Sequence, residues 1–173
     1  MIYVDELKTP LGLTTACVED DALTGFWFIG QKYYPAKTGN WIQKPDHPVF
    51  TRLKAWLDNY FAGCNPNHDF VLNPQGTAFQ KKVWAILLEI PYGKLTTYGA
   101  VAGRLAAQKG SASMSAQAVG GAVGHNPVSL LIPCHRVVGA DGSLTGYAGG
   151  LDKKAALLRL EGSGHLLQSR QKF

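Results

Sequence analysis

The sequence predicts an α/β protein of α+β type. It has a small N-terminal antiparallel sheet with one covering helix, then a mostly helical C-terminal region with a winged-helix-like helix-turn-helix. Three observations predict this. Residues 2–8, 12–18 and 22–29 are short runs rich in Val, Ile, Thr and aromatic residues, the composition of half-buried strands. Val49, Phe50, Leu53, Trp56, Leu57, Tyr60 and Phe61 instead recur at helical spacing. Beyond residue 76 the apolar pattern is mostly helical, with capping residues at Thr77, Thr97 and Asp152.

The elements follow in order. Pro10-Leu11-Gly12 and Glu19-Asp20-Asp21 break the three strands as turns. Residues 31–46 read as loop, and Gly63 stops the helix over 49–61. A sheet with a covering helix carries no chemistry of its own. Residues 63–76 are dense in Gly, Asn, Pro and Gln and form a candidate linker, so the domains are 1–74 and 75–173. Thr77-Ala78-Phe79-Gln80 fits a capping box, in which the Thr hydroxyl and the Gln side chain each satisfy a free backbone N–H. The stripe Phe79, Val83, Trp84, Leu87, Leu88 ends before Pro91-Tyr92-Gly93. A second helix runs from Tyr98 to about Ala107, a polar turn from Gln108 to Ser113, and a third helix from about Ser115 to Val123. Gly124 and Asn126-Pro127 stop that third helix. Its Ala116, Ala118, Gly120, Gly121 and Ala122 suit either close approach to a partner or tight helix–helix packing. Asp152 caps a last helix that ends near Glu161-Gly162.

Composition narrows the function. The chain has 173 residues, 46% of them apolar and only 17% charged, which gives a real core and excludes a disordered chain. No apolar run approaches the roughly 18 residues of a membrane span. The N-terminus lacks the basic start and apolar stretch of a signal peptide. The expectation is a cytoplasmic protein with no membrane partner. Three cysteines, Cys17, Cys64 and Cys134, argue against a disulfide framework. A net charge of +5 suits a polyanionic partner without requiring one. Cys17, Cys64, His47 and His68 form no C-x₂-C or H-x₃-H pair, so no metal site is expected.

Cys134 lies in Pro133-Cys134-His135-Arg136, flanked by the short apolar runs Ser129–Ile132 and Val137-Val138. A buried cysteine is commonly just a small hydrophobe. Here Pro133 fixes the backbone before the thiol. His135 and Arg136 offer a proton acceptor or positive charge that favours thiolate, the nucleophilic form. Neighbours in an extended chain point to opposite sides, so direct contact between Cys134 and His135 requires a turn or a bridging water. Residues 146–150, Gly-Tyr-Ala-Gly-Gly, read as an active-site flap or a plain turn. They are not expected to precede a helix as a phosphate loop would.

At Ile132-Pro133-Cys134-His135-Arg136-Val137-Val138 the chain resembles the O⁶-alkylguanine-DNA alkyltransferases. Further segments match in order: Phe79-Gln80 with Val83-Trp84, Ile90–Gly93, Thr97-Tyr98-Gly99, Ala118-Val119-Gly120, Asn126-Pro127, Thr145–Gly150, and Leu157-Leu158 with Glu161-Gly162. The resemblance is firm over about residues 76–162, whereas 1–75 fit the family's variable N-terminal domain only in outline. It implies DNA repair by direct reversal: a single-turnover transfer of the alkyl group from O⁶-alkylguanine to Cys134, with O⁴-alkylthymine open as a second substrate and no cofactor. It makes His135 a base acting through a water, Glu161 the group that orients it, and Asn126 a hinge. Tyr98 would help turn the nucleotide out, Tyr147 and Ala148 would lie in the flap against the base, and the 115–123 helix would enter the minor groove. The candidate DNA- or substrate-binding residues are then Tyr98, Lys109, Gln117, Ala118, Gly121, Arg136, Tyr147 and Ala148. The partner is double-stranded DNA carrying O⁶-alkylguanine, bound by a monomer, with clustering along DNA left open.

Gln117 departs from the pattern, because the family usually has Arg at this position, where it fills the gap left by the flipped base. The turn before the helix is also longer than usual. Three rivals remain: a binder of alkylated bases without repair, which would lack Cys134; a cysteine hydrolase using His125 or His165; and a DNA-binding regulator without chemistry.

Overall fold

The computed structural model describes residues 1–36 and 39–166. The chain divides into two compact units: residues 1–75 with 127–129, and residues 76–126 with the described residues from 130 onward.

In the first unit, strands β1 (Ile2–Thr9), β2 (Gly12–Glu19) and β3 (Ala22–Phe28) form the expected antiparallel meander. Asp20 and Asp21 turn the second hairpin with φ of 50° and 59°, the left-handed pair that a two-residue hairpin loop needs to match strand twist. Two edge strands were not foreseen. β4 (Trp41–Gln43) runs parallel to β1, and β5 (Val71–Leu72) runs parallel to β3, giving the order β4-β1-β2-β3-β5. They lie in the stretches read as loop and linker. Helix α1 (Pro48–Phe61) buries Val49, Phe50, Leu53, Trp56, Leu57 and Tyr60, the stripe read from the sequence except Phe61, which is half-buried at the helix end. Its N-cap is His47, whose Nδ1 accepts from the Val49 N–H at 3.1 Å. Pro127–Ser129 join this unit through Phe26: the Phe26 N–H donates to Pro127 O at 2.8 Å, and the Ser129 N–H donates to Phe26 O at 2.9 Å.

In the second unit, α2 (Ala78–Leu87) opens with the predicted capping box. The Gln80 N–H donates to Thr77 Oγ1 at 3.1 Å, and the Thr77 N–H to Gln80 Oε1 at 3.0 Å. Helix α3 (Tyr98–Lys109), capped by Thr97, ends at Gly110 in the left-handed conformation with φ 68°. It is two residues longer than expected, so Lys109 sits in its last turn and not in the polar turn. Helix α4 (Ala116–Gly124), capped by Ser115, buries Val119, Ala122 and Val123. The indole N–H of Trp84 donates to Ala122 O at 2.9 Å and ties α2 to α4. Strands β6 (Thr96–Thr97) and β7 (Val137–Val138) pair in parallel and bring the start of α3 beside the segment that follows Cys134.

Helix α5 (Leu151–Leu160) corrects two readings. Its N-cap is Gly150, at φ 102°, so Asp152 does not cap it but lies in its first turn, where a carboxylate still meets the positive end of the helix dipole. The Gly-rich stretch 146–150 therefore does run straight into a helix. Ala155 and Leu158 of α5 pack with Val138 and Leu144, with Leu95 alongside. Among the described residues, no helix is long and apolar enough to cross a membrane.

Candidate active site

Asn126 follows the end of α4 and is buried. Its Nδ2 donates to Ile132 O at 2.8 Å, so one side chain braces the stretch leading to Cys134. Within that stretch Leu130 takes a left-handed φ of 68°, a conformation uncommon outside glycine that its surroundings must hold in place.

Cys134–Arg136 then form a 3-10 turn. The Cys134 N–H donates to Ile132 O at 2.8 Å, and the Arg136 N–H to Pro133 O at 3.0 Å. With about three residues per turn, the three side chains leave the backbone in three directions. The turn by itself makes no direct hydrogen bond between the Cys134 and His135 side chains, which leaves the bridging water of the sequence argument. Cys134, His135 and Arg136 are all buried, His135 completely, at 0% exposure.

Glu161 caps the C-terminus of α5 and joins two of these side chains. His135 Nε2 lies 2.7 Å from Glu161 Oε2. Arg136 donates from Nε to Oε1 at 2.7 Å and from Nη2 to Oε2 at 3.0 Å, while its Nη1 donates to Ile90 O at 2.7 Å. The loop of Ile90 packs close by. Gly93 has φ 77°, and a Cβ there would stand 3.1 Å from Glu161 O, so both conformation and space favour glycine.

The electrostatics decide the resting state. Burial works against the Glu161 charge, but hydrogen bonds and charge from His135 and Arg136 more than offset it and hold the carboxyl well below the usual carboxylate range. Burial, only partly opposed by Glu161, pushes His135 down, so the imidazole is neutral. With an ionised carboxylate at Nε2, the proton belongs on Nε2. Nδ1 is then an acceptor, buried and bonded to no described residue.

Burial also pushes the Cys134 thiol up, more than a hydrogen bond from Asn126 and the charge of Lys154 pull it down. Cys134 therefore rests as a thiol. Two sequence readings change here. Arg136 is not the cation that promotes the thiolate, and it is not a DNA-facing group. Its buried guanidinium is committed to Glu161 and Ile90.

The cation close to the thiol is Lys154, which sequence reasoning missed. It is at 0% exposure on α5, and its Nζ donates to Thr145 O at 2.8 Å and Gly146 O at 3.0 Å. The same Nζ lies 5.9 Å from the Tyr98 ring centroid. The Tyr98 hydroxyl donates to Thr145 O at 3.0 Å, so lysine and tyrosine share one carbonyl. Burial raises the Tyr98 pKa, so the phenol keeps its proton. One signal was present: Lys154 lies in the buried stripe Lys154, Ala155, Leu157, Leu158 of α5, where an amphipathic helix places apolar residues.

The other candidates lie elsewhere. Gln117, Ala118 and Gly121 share the exposed face of α4. Lys109 is exposed at the end of α3, 5.9 Å from the Phe79 ring centroid. Tyr147 and Ala148 are half-buried in the segment before α5. His125 and His165, the remote bases of a hydrolase, are both exposed. No group of three metal-ligating side chains exists among the described residues.

The site thus pairs a buried thiol with a neutral imidazole on the next residue, which a carboxylate holds in one tautomer, and these are the group types of a nucleophile and its base. Comparison with known proteins places the chain in a family. Residues 78–163 match the DNA-binding domain of 6-O-methylguanine DNA methyltransferase. The methylated-DNA–protein-cysteine methyltransferase of Mycolicibacterium paratuberculosis is 42% identical over 161 residues, 93% of each chain. The crystal structure of Mycobacterium tuberculosis OGT in complex with DNA superposes with TM-score 0.80 at 37% identity, covering 96% of both chains. An O⁶-methylguanine DNA methyltransferase from Methanococcus jannaschii superposes with TM-score 0.65 at 28% identity, covering 98% of both. The chain belongs to the methylated-DNA–protein-cysteine methyltransferase family.

Proposed function

We propose that this chain repairs O⁶-alkylguanine in double-stranded DNA by moving the alkyl group irreversibly to Cys134. The observation that carries this reading is the Cys134–His135–Glu161 arrangement: a buried thiol, and a neutral imidazole whose Nε2 proton is held by Glu161 at 2.7 Å.

A water bridging the thiol to His135 Nδ1 passes the thiol proton to the imidazole. Glu161, kept ionised by Arg136, stabilises the imidazolium that forms. The thiolate attacks the alkyl carbon. A C–S bond forms, the C–O⁶ bond breaks, and its electron pair stays with guanine. The base takes up a proton at N3 from the Tyr98 hydroxyl. The product is a thioether that no group in the site can cleave, so each chain reacts once, and the balance requires no cofactor. Asn126 holds the turn and the thiol in place.

The O⁶ atom lies within the duplex stack, so the nucleotide must leave it, at a cost of about a few kcal/mol. The exposed face of α4 serves this step. Ala118 and Gly121 let its backbone approach the minor groove, and Gln117 stands where a wedge would enter. Tyr98 presses on the backbone 3′ of the target, Tyr147 and Ala148 lie against the extruded base, and Lys109 contacts phosphate. The net charge of +5 favours the encounter. The M. tuberculosis relative solved with DNA supports this partner. The chain acts in the cytoplasm as a monomer.

The test follows the substrate. In excess O⁶-methylguanine duplex, the amount of guanine restored should level off at one per chain, and Cys134→Ser should restore none. Restoration that continues past one per chain would refute the reading.

A further inference from the structure

We propose that Lys154 is a positioning residue for the transfer: it fixes Tyr98 through the shared Thr145 carbonyl and holds a positive charge ready for the Cys134 thiolate. This rests on the alkyl-transfer reading above and assigns a role that neither the motif nor the relay requires.

An ammonium at 0% exposure has lost its hydration, and a buried charge is ordinarily kept only when it is paired. Among the described residues Lys154 has no carboxylate partner; its contacts are the carbonyls of Thr145 and Gly146 and the face of Tyr98. These dipoles satisfy its N–H groups and leave its charge uncompensated. Burial accordingly lowers its pKa to about 8, and Cys134 opposes that shift. The charge still lowers the Cys134 thiol in return. A fixed cation without a counterion is stabilising only when negative charge appears beside it, and the thiolate is that charge.

Two further features fit. Lys154 and Tyr98 meet on Thr145 O, at 2.8 Å and 3.0 Å, so the lysine sets the position of the phenol that faces the leaving base. It also bonds Gly146 O, which anchors the start of the Gly-rich segment. The titratable groups around it are Cys134 and His135 on the 3-10 turn and Tyr98 at the start of α3.

Three variants separate charge from hydrogen bonding: Lys154→Gln keeps a donor without charge, Lys154→Arg keeps the charge, and Lys154→Met keeps neither. Two readouts apply: the pH profile of Cys134 carboxamidomethylation by iodoacetamide, resolved by peptide mass spectrometry, and the rate of transfer from free O⁶-benzylguanine. In Lys154→Gln the thiol inflection should move to higher pH. Transfer at neutral pH should slow about 10²-fold, on the scale of losing one preorganised electrostatic contact, and the deficit should narrow as pH rises. Lys154→Arg should keep the inflection near that of the parent. An inflection in Lys154→Gln that coincides with the parent's would overturn the proposal, and so would equal shifts in the Gln and Arg variants. If Lys154→Met fails to fold, the Gln and Arg pair still decides. If the parent transfers nothing from O⁶-benzylguanine, the transfer reading fails, whereas the iodoacetamide profile still judges Lys154.

Discussion

The C-terminal unit presents two contrasting regions. Around Cys134 four polar side chains are buried and held from within: His135 and Arg136 by Glu161, Asn126 by Ile132, Lys154 by Thr145 and Gly146, with His135 Nδ1 left open among the described residues. On the outer face of α4, Gln117, Ala118 and Gly121 are exposed, and any partner they have comes from outside. The buried region therefore carries the chemistry in its resting geometry. The exposed face acquires meaning only against DNA. Substitutions should separate along this line, with buried changes acting on reaction with any substrate and exposed changes acting only when the base must be extracted from a duplex.

The largest effect belongs to Cys134→Ser, which should abolish transfer to an undetectable level while leaving duplex affinity within a few-fold, because phosphate contacts dominate binding. A gel-shift titration alongside a transfer assay checks both halves. His135→Ala comes next, with transfer slowed by about 10²-fold, the typical contribution of a general base. The loss should be equal on duplex and on free O⁶-benzylguanine. A loss confined to duplex would place His135 on the wrong side of the comparison.

Glu161→Gln should cost both activity and fold. It leaves the Arg136 guanidinium buried without its counter-charge, a penalty of about 3–5 kcal/mol for breaking such a pair, readable as a fall in the urea midpoint. The same pair sets an acid limit. The folded pKa of Glu161 lies below its ordinary 4.5. Its stabilisation is thus complete above pH 4.5 and is lost as pH falls through the depressed value. Thermal melts between pH 7 and 3 should show the parent declining below about 4.5, with a shallower decline in Glu161→Gln.

How much of this was legible in sequence depended on how local the cause was. The capping box at Thr77 and Gln80, the stripe of α1 and the stop at Asn126 are set by residues within a turn or two, and each appeared where expected. Edge strands β4 and β5 are three and two residues long. Their pairing is with distant strands, so no local pattern announced them. The burial of Arg136, a candidate DNA- or substrate-binding residue in the sequence, was not legible because its direction is set by Glu161, 25 residues away. The pairing of His135 with Glu161 was anticipated from the motif's resemblance. The burial that makes Cys134 rest as a thiol, and the cation that offsets it, were not, since burial is a property of the packed unit. Lys154 could have been found from its place in the apolar stripe of α5.

The smallest effect lies on the exposed face. Gln117 is neutral and shorter than the Arg usual there, so it should hold the extruded state less well. Gln117→Arg should raise the rate on methylated duplex a few-fold and leave the rate on free O⁶-benzylguanine unchanged, since the free base needs no flipping. Shortening the turn over 110–114 should weaken duplex binding and flatten its dependence on salt. If the duplex-to-free-base ratio stays at the parental value in Gln117→Arg, another side chain already fills the gap.

The central claim, that Cys134 accepts the alkyl group once and keeps it, is tested most directly on the protein. After incubation with excess O⁶-methylguanine duplex, intact and peptide mass spectrometry should show one added methyl group per chain, on the peptide containing Cys134, with no further gain over time. An unchanged mass while the lesion disappears, or a methyl group on Cys17 or Cys64 instead, would contradict it.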